Sequence, residues 1–565
     1  MKFSQMPYSR PDYDATEAEL RSLLAEFESS RTAGEAAAAY LAIDRAGERF
    51  STAYSLAYIR HTLDTRDKFY AAEQEYFDEV NPRLQEVTQE ITAALLASPF
   101  RAELTDAWGD VMFRNAEITL KTFTPEIIGD LQEENRLTTE YGKLLASAQI
   151  EFDGKTLTLA QLAPYYQNTD RAIRKAAFQA RSDWFLPHAE RLDSLFDELV
   201  QLRTSMARKL GYENYIELGY YNMTRNCYDS SDIAKLRDAI VKYAVPISET
   251  LKKAQAERLG IDKVTLYDDA LIFPEGNAAP KGSPDEIFAG GKQMYHDLSD
   301  DTAGFIDFML ENELFDVLTR PGKSGGGYCA TIEEYKAPFI FANFNGTADD
   351  IDVLTHEAGH AFAAYLARDI EPSNLRNPTY ETAEVHSMSM EFFTWPYMKL
   401  FFENPDKYRY QHLASALTFL PYGTMVDEFQ HIVYGSPSLT PKERNEVWKN
   451  LESKYRPYLD YDFTFFGEGR RWQAQAHIYE RPFYYIDYVL AQTAALEFWA
   501  LDQTDHKAAW EKYRTFTDKA GTRTFTELIA AAGLDSPFDG DALKAIAETA
   551  HEFIINNSYQ ISNIR

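Results

Sequence analysis

The sequence predicts a mainly α protein with a small β-sheet beside a His-Glu-x-x-His helix. Three observations predict it. Long stretches rich in Ala, Glu, Leu and Arg carry apolar residues at three- and four-residue intervals, the helix period. A single segment, residues 324–346 (SGGGYCATIEEYKAPFIFANFNG), breaks that period with strand formers between Gly-rich and polar turns. Directly after it, residues 356–360 read His-Glu-Ala-Gly-His.

The helical stretches come first in chain order. Thr16 to about Ser98 holds EAELRSLLAEFESS and YAAEQEYFDEVNPRLQEVTQEITAALLAS with almost no Gly or Pro. The pattern continues to about Ser147, from Asp170 to Leu210, and from Ile233 to Leu259. No internal repeat is visible. The Pro and Gly cluster from Phe273 to Pro284 marks a link between helical units. Tyr328, Cys329, Thr331 and Ile332 predict one strand, and Pro338 to Phe344 another.

Composition limits what the protein can bind. Lys+Arg number 57 and Asp+Glu 88, so the formal net charge is −31. Such a chain repels phosphate backbones and anionic lipid, which excludes nucleic acid and membrane surfaces as expected partners. Aromatic residues at 14% argue against a disordered acidic chain. Cys227 and Cys329 are too few for a disulfide framework and read as reduced thiols. The N-terminus has no apolar signal core, and no run of about 18 apolar residues occurs. A cytoplasmic location is expected.

His356 and His360 are four apart, so a helix puts both imidazoles on one face, one turn apart. Both can then reach one metal ion, with Glu357 beside them as general base. A helix over residues 348–367 is expected, with Thr347 as N-cap and Asp350 three residues on. Ile351, Leu354, Ala358, Phe362 and Tyr365 form its apolar stripe. Gly359 costs about 1 kcal/mol relative to Ala inside a helix, so a close approach of another segment or of a ligand is expected there.

A catalytic zinc takes three protein ligands and keeps one position open. Glu381, Glu384 and Glu391 lie on one face of the next polar helix. One of them is the expected third ligand, and the others are expected to hydrogen-bond the ligand histidines. Spacing does not choose between Glu381 and Glu384. His386 is an alternative ligand, but its face of the helix favours packing. Near the C-terminus, residues 477–488 group His477 with Tyr484, Tyr485 and Tyr488. They read either as donors to a tetrahedral oxyanion or as an aromatic packing cluster.

Taken together, these motifs resemble the thimet-oligopeptidase-like zinc metallopeptidases, nearest the oligoendopeptidase F and Pz-peptidase branch. The Gly-rich strand segment precedes HEAGH, Glu384 follows His356 by 28 residues, and Glu391 follows seven later. The terminal His and paired tyrosines come in the same order, and NYIELGYYNMTRNCYD and VDEFQHIVYG also look like this branch. The aminopeptidase-type zinc enzymes place their third Glu at a position that is Thr379 here, so that pattern is not met.

The resemblance implies one Zn2+ per chain held by His356, His360 and Glu384, with Glu357 as base. It implies His477, Tyr485 and Tyr488 as transition-state donors. The interval from His477 is one residue shorter than in mammalian-type members, which leaves Tyr484 open as a replacement for Tyr485. It also implies two helical lobes enclosing a deep channel: an N-terminal lobe over about 1–200 and a catalytic region over 201–565. The expected substrates are short unstructured oligopeptides cut at internal bonds. Phe341, Ala342, Asn343 and Phe344 are expected to pair with the extended peptide. The competing classes are a zinc carboxypeptidase-type exopeptidase and a non-catalytic helical peptide-binding protein. The sequence does not give the oligomeric state.

Overall fold

The protein is described by a computed structural model that covers residues 1–320, 322–344, 346–461 and 465–561, without the side chains of 82, 146 and 555–561. Among the described residues it is mainly helical, with small sheets and no closed barrel. The helices form where periodicity and caps agree. Thr32 accepts the Glu35 N–H at 3.2 Å and starts the helix Ala33–Leu63, which buries Ile43, Ala46, Phe50, Leu56 and Ile59. Asp67 caps Lys68–Ala97 in the same way. With the helix Tyr13–Glu28 they bury Leu20, Phe27, Ile43, Val87 and Leu95 in one apolar cluster. Burial of each such side chain contributes about 1.5–3 kcal/mol.

Two compact units are present, and both are discontinuous in sequence. The first comprises Met1–Leu120, Ala279–Pro405 and Ala494–Leu534. The second comprises Lys121–Ala278, Asp406–Thr493 and Asp535–Arg565. The expected boundary near residue 200 differs from this division, since it falls inside the continuous helix Ala189–Lys209. Local periodicity identifies helices but carries no information on which distant segments pack with them. The Phe273–Pro284 stretch does contain a change of unit, between Ala278 and Ala279. Ser283 then starts the helix Pro284–Leu298 with a capping box to Glu286.

A hairpin in the second unit joins β1 (Ile150–Phe152) to β2 (Lys155–Leu157) through Asp153 and Gly154. Both turn residues have positive φ, 51° and 68°, as a two-residue hairpin requires. In the first unit, β3 (Phe315–Leu318), β4 (Tyr328–Ile332) and β5 (Ala337–Phe344) form a sheet ordered β3-β5-β4. The two predicted strands are β4 and β5. β3 pairs parallel to β5, and β4 pairs antiparallel with Cys329 opposite Ile340.

That order corrects one expectation. β5 is the central strand, so Phe341 and its neighbours already pair with β3 on one side and β4 on the other. Past the end of β4, Lys323 Nζ donates to Ala342 O, and Asn343 Nδ2 donates to Ser324 O and Gly326 O. Phe341, Ala342 and Phe344 are buried. An added peptide therefore has no edge at Phe341–Phe344. The outer strand on that side is β4.

Candidate metal and catalytic site

The His-Glu-x-x-His motif lies on the helix Asp349–Ala367, packed against β5 and the helix Tyr380–Phe393. Its start differs from the expected cap. Ala348 occupies the N-cap position without a side-chain bond, and the Asp350 carboxylate instead accepts the Gly346 N–H at 2.7 Å. Asp349, Asp350 and Asp352 place negative charge in the first turn, where the helix dipole favours it.

Gly359 meets the expected close approach. A Cβ there would stand 2.6 Å from both His386 O and Ser387 Cα. The missing side chain lets the two helices touch backbone to backbone, which brings the motif face against the carboxylates of the second helix. Tyr513 supports that backbone by donating its hydroxyl to His386 O at 2.9 Å.

The contact assembles a donor set. Among the described residues, His356, His360 and Glu384 converge with ligand atoms all within 4.8 Å of one another. Glu384 Oε2 lies 3.3 Å from His356 Nε2 and 3.5 Å from His360 Nε2. Ligands about 2.1 Å from a tetrahedral zinc stand roughly 3.4 Å apart, so these separations fit a zinc-sized ion. Glu391 accepts from His356 Nδ1 at 2.6 Å, which directs Nε2 toward Glu384. Ser387 Oγ donates to Glu384 Oε2 at 3.1 Å.

Charge balance gives the same answer. Glu357, Glu384 and Glu391 set three carboxylates against two imidazoles, a surplus of negative charge that suits a dication. Burial opposes the charge on His356, yet Glu384 and Glu391 outweigh it and hold its pKa well above the ordinary imidazole value. Burial also opposes the charge on Glu384, yet His360 and His356 hold its pKa well below the carboxylate range. Burial raises the Glu357 pKa, with Glu384 and Glu391 adding to it and the histidines opposing. A Cβ on Gly327, the residue before β4, would lie 3.6 Å from Glu357 Oε1, so the base lies beside the entry to the outer strand.

The remaining carboxylate and histidine take other positions. Glu381 is buried, and its Oε1 accepts the Thr379 hydroxyl at 2.8 Å. His386 packs edge-on against Phe516 at 5.6 Å, and burial pushes its pKa down to about 3, so it is a neutral core histidine.

His477, Tyr484, Tyr485 and Tyr488 are brought together in the second unit. The His477 ring lies 5.0 Å from that of Tyr485, 5.7 Å from Tyr484 and 5.9 Å from Tyr488. Tyr422 donates to Gln475 Oε1 at 2.8 Å, which turns the Gln475 amide NH2 toward His477 Nδ1, 3.1 Å away. A neutral His477 so held carries its proton on Nε2 and is a donor there. Burial, with Tyr422 and Tyr488 nearby, holds the Tyr485 pKa well above the phenol value, so its hydroxyl keeps its proton.

Residues 3–123 match the peptidase M3 N-terminal domain, and residues 165–272 and 293–548 match peptidase family M3. The chain belongs to peptidase family M3. The solved structure of Pz peptidase A with inhibitor 2 aligns to this M3 peptidase with a TM-score of 0.94 and 46% identity, covering 98% of this chain and 99% of that one. Oligopeptidase PepF of Bacillus subtilis (strain 168) is 21% identical over 87% of this chain and 76% of its own length. The oligoendopeptidase-F structure from Enterococcus faecium shares the fold at a TM-score of 0.65 and 15% identity, covering 97% and 99% of the two chains. The M3 peptidase is thus a metallopeptidase acting on peptides. No helix among its described residues is long and apolar enough to cross a membrane.

Ser387, Gly327 and Tyr513 touch this site in the M3 peptidase and are not among the residues its sequence motifs single out. Ser387 carries a signal in lying three residues after Glu384 on one helix, a spacing at which side chains meet, and Gly327 lies in the Gly-rich segment that precedes the motif. Glu391 gives a direct prediction. Glu391→Ala frees the His356 ring to rotate and should weaken zinc affinity by about 10–100-fold, read by competition with a chromogenic chelator. Unchanged affinity would show that the Nδ1 bond does not hold the ligand.

Proposed function

We propose that this M3 peptidase is a zinc-dependent oligoendopeptidase that hydrolyses internal bonds of short unstructured peptides. The observation that carries this reading is the convergence of His356 Nε2 and His360 Nε2 on one Glu384 oxygen, with Glu357 beside them but outside the ligand set. His356, His360 and Glu384 hold the ion. Zinc bound there supplies Lewis acidity and lowers the pKa of water. Glu357 takes the proton of the attacking water and returns it to the leaving amine. Its raised pKa suits a group that must both accept and release a proton. His477, Tyr485 and Tyr488 donate to the oxyanion, with Tyr484 as the alternative to Tyr485.

The resting place for substrate is the outer edge of β4 rather than β5. Tyr328, Cys329 and Ala330 are only half-buried, and Gly327 stands beside Glu357. A peptide added along that strand must be extended, which favours unstructured substrates and main-chain recognition with little sequence preference.

Digestion of a decapeptide library, followed by mass spectrometry with and without chelator, tests the reading. Internal cuts that disappear with chelator are expected. Stepwise loss of terminal residues would make the protein an exopeptidase instead. Absence of any chelator-sensitive product would favour a binding protein.

A further inference from the structure

The segment that carries His477 and the tyrosines turns through one strained residue. Phe483 has φ 67°, a left-handed conformation that a bulky side chain seldom adopts. Such a residue persists only where its surroundings over-determine it, and such residues cluster at functional sites. Here every part of Phe483 is held. Its N–H donates to Gln430 Oε1 at 2.9 Å, and its carbonyl accepts from Arg225 Nη2. The same Nη2 lies 2.9 Å from Asp487 Oδ1, in the first turn of the helix Tyr485–Asp502. Arg225 and Asp487 have fully buried side chains, and Gln430 is also buried. The Phe483 ring sits among Tyr215, Tyr220, His431 and Tyr434. The helix Tyr215–Asn222 makes room for it with Gly219, where a Cβ would stand 2.5 Å from Phe483 Cδ2.

Stability is a weak explanation for this clamp. A buried ion pair is often no more stabilising than apolar residues of the same volume. Position is a better one. Phe483 lies six residues after His477 and two before Tyr485. Its backbone angle therefore sets the direction of the tyrosine helix relative to the imidazole.

We propose that Arg225, Asp487 and Gln430 are positioning residues that hold Phe483 in its left-handed turn and thereby fix Tyr485 and Tyr488 against His477 for oxyanion stabilisation. This rests on the reading of those three side chains as oxyanion donors. The clamp acts through the backbone and touches no substrate.

The test compares Arg225→Lys and Gln430→Met, alone and in a Tyr485→Phe/Tyr488→Phe background, on an internally quenched peptide with the zinc-loaded full chain. Each single variant should lower kcat by about 10–100-fold while KM stays within about two-fold, because displaced donors weaken only the transition state. In the tyrosine-less background the same substitutions should cost less than about three-fold, since the groups they position are gone. Bound zinc should stay at one per chain throughout.

Wild-type kcat in the single variants, or an undiminished loss in the tyrosine-less background, would overturn the proposal. Wild-type kcat in the tyrosine double variant would instead sink the oxyanion reading beneath it. Gln430→Met removes the acceptor of the Phe483 N–H, and with it the Gln430 amide bond to Val426 O within its own helix, but leaves the Arg225–Asp487 ion pair intact, so it decides the matter if Arg225→Lys does not fold.

Discussion

Replacing Glu357 with Gln should abolish nearly all turnover while leaving zinc in place. The expected loss in kcat is about 10²–10⁴-fold, the range for removing a general acid–base group. The metal should stay because Glu357 is outside the converging set of His356, His360 and Glu384. Gln keeps the size and one acceptor oxygen of Glu357 but cannot take up and return a proton. Metal content by mass spectrometry and kcat on a quenched peptide read the two halves independently. Substantial turnover by Glu357→Gln would show that the proton moves elsewhere, and loss of zinc would show that Glu357 is a ligand.

Gly359→Ala carries the second large effect, and its sign is the informative part. Gly to Ala inside an exposed helix ordinarily stabilises by about 1 kcal/mol. At Gly47, in the helix Ala33–Leu63, an added Cβ would have nothing within 4 Å, so this position should follow that rule. At Gly359 the new methyl would meet His386 O and Ser387 Cα at 2.6 Å, and backbone atoms cannot rotate aside. The two helices must part, at a cost of about 1–3 kcal/mol. Glu384 lies two residues before His386, so the separation also pulls it from the histidines. Thermal midpoint and zinc affinity should both fall in Gly359→Ala and neither in Gly47→Ala. Matching behaviour of the two variants would mean that the helix contact does not set the donor geometry.

How much of this is legible in the sequence follows from the range of each interaction. The motif helix is legible because His356, Glu357 and His360 act across one turn, and periodicity speaks at that range. The choice between Glu381 and Glu384 is not, since it depends on how one helix lies on another. The resemblance implies Glu384, and the geometry groups Glu384 with the two histidines. Glu384 and Glu391 are two turns apart, about 10.5 Å along the axis, yet both reach His356 because the imidazole presents a nitrogen to each. The need for Gly359 is legible as an unexplained energetic cost, while its partner, the backbone at His386 and Ser387, is not.

The sheet shows the same limit. β4 and β5 are readable from their strand formers, but their order is not. β3 is four residues long, and its pairing with β5 makes β5 central. That non-local fact moves the proposed peptide contact from Phe341–Phe344 to β4. The two units are likewise built from distant segments, which no local pattern announces. Asp153-Gly154, by contrast, is a short-range hairpin signal in the sequence that the helical reading of its surroundings passes over.

The central claim is that one ion held by His356, His360 and Glu384 is required for peptide hydrolysis. Its most direct test is zinc titration of the chelator-stripped protein, following quenched-peptide hydrolysis and bound metal together. Activity should rise in proportion to bound zinc and level off at one ion per chain, and Glu384→Ala should show no such rise at the same zinc concentrations. Full hydrolysis by the stripped protein, or an undiminished response in Glu384→Ala, would contradict it.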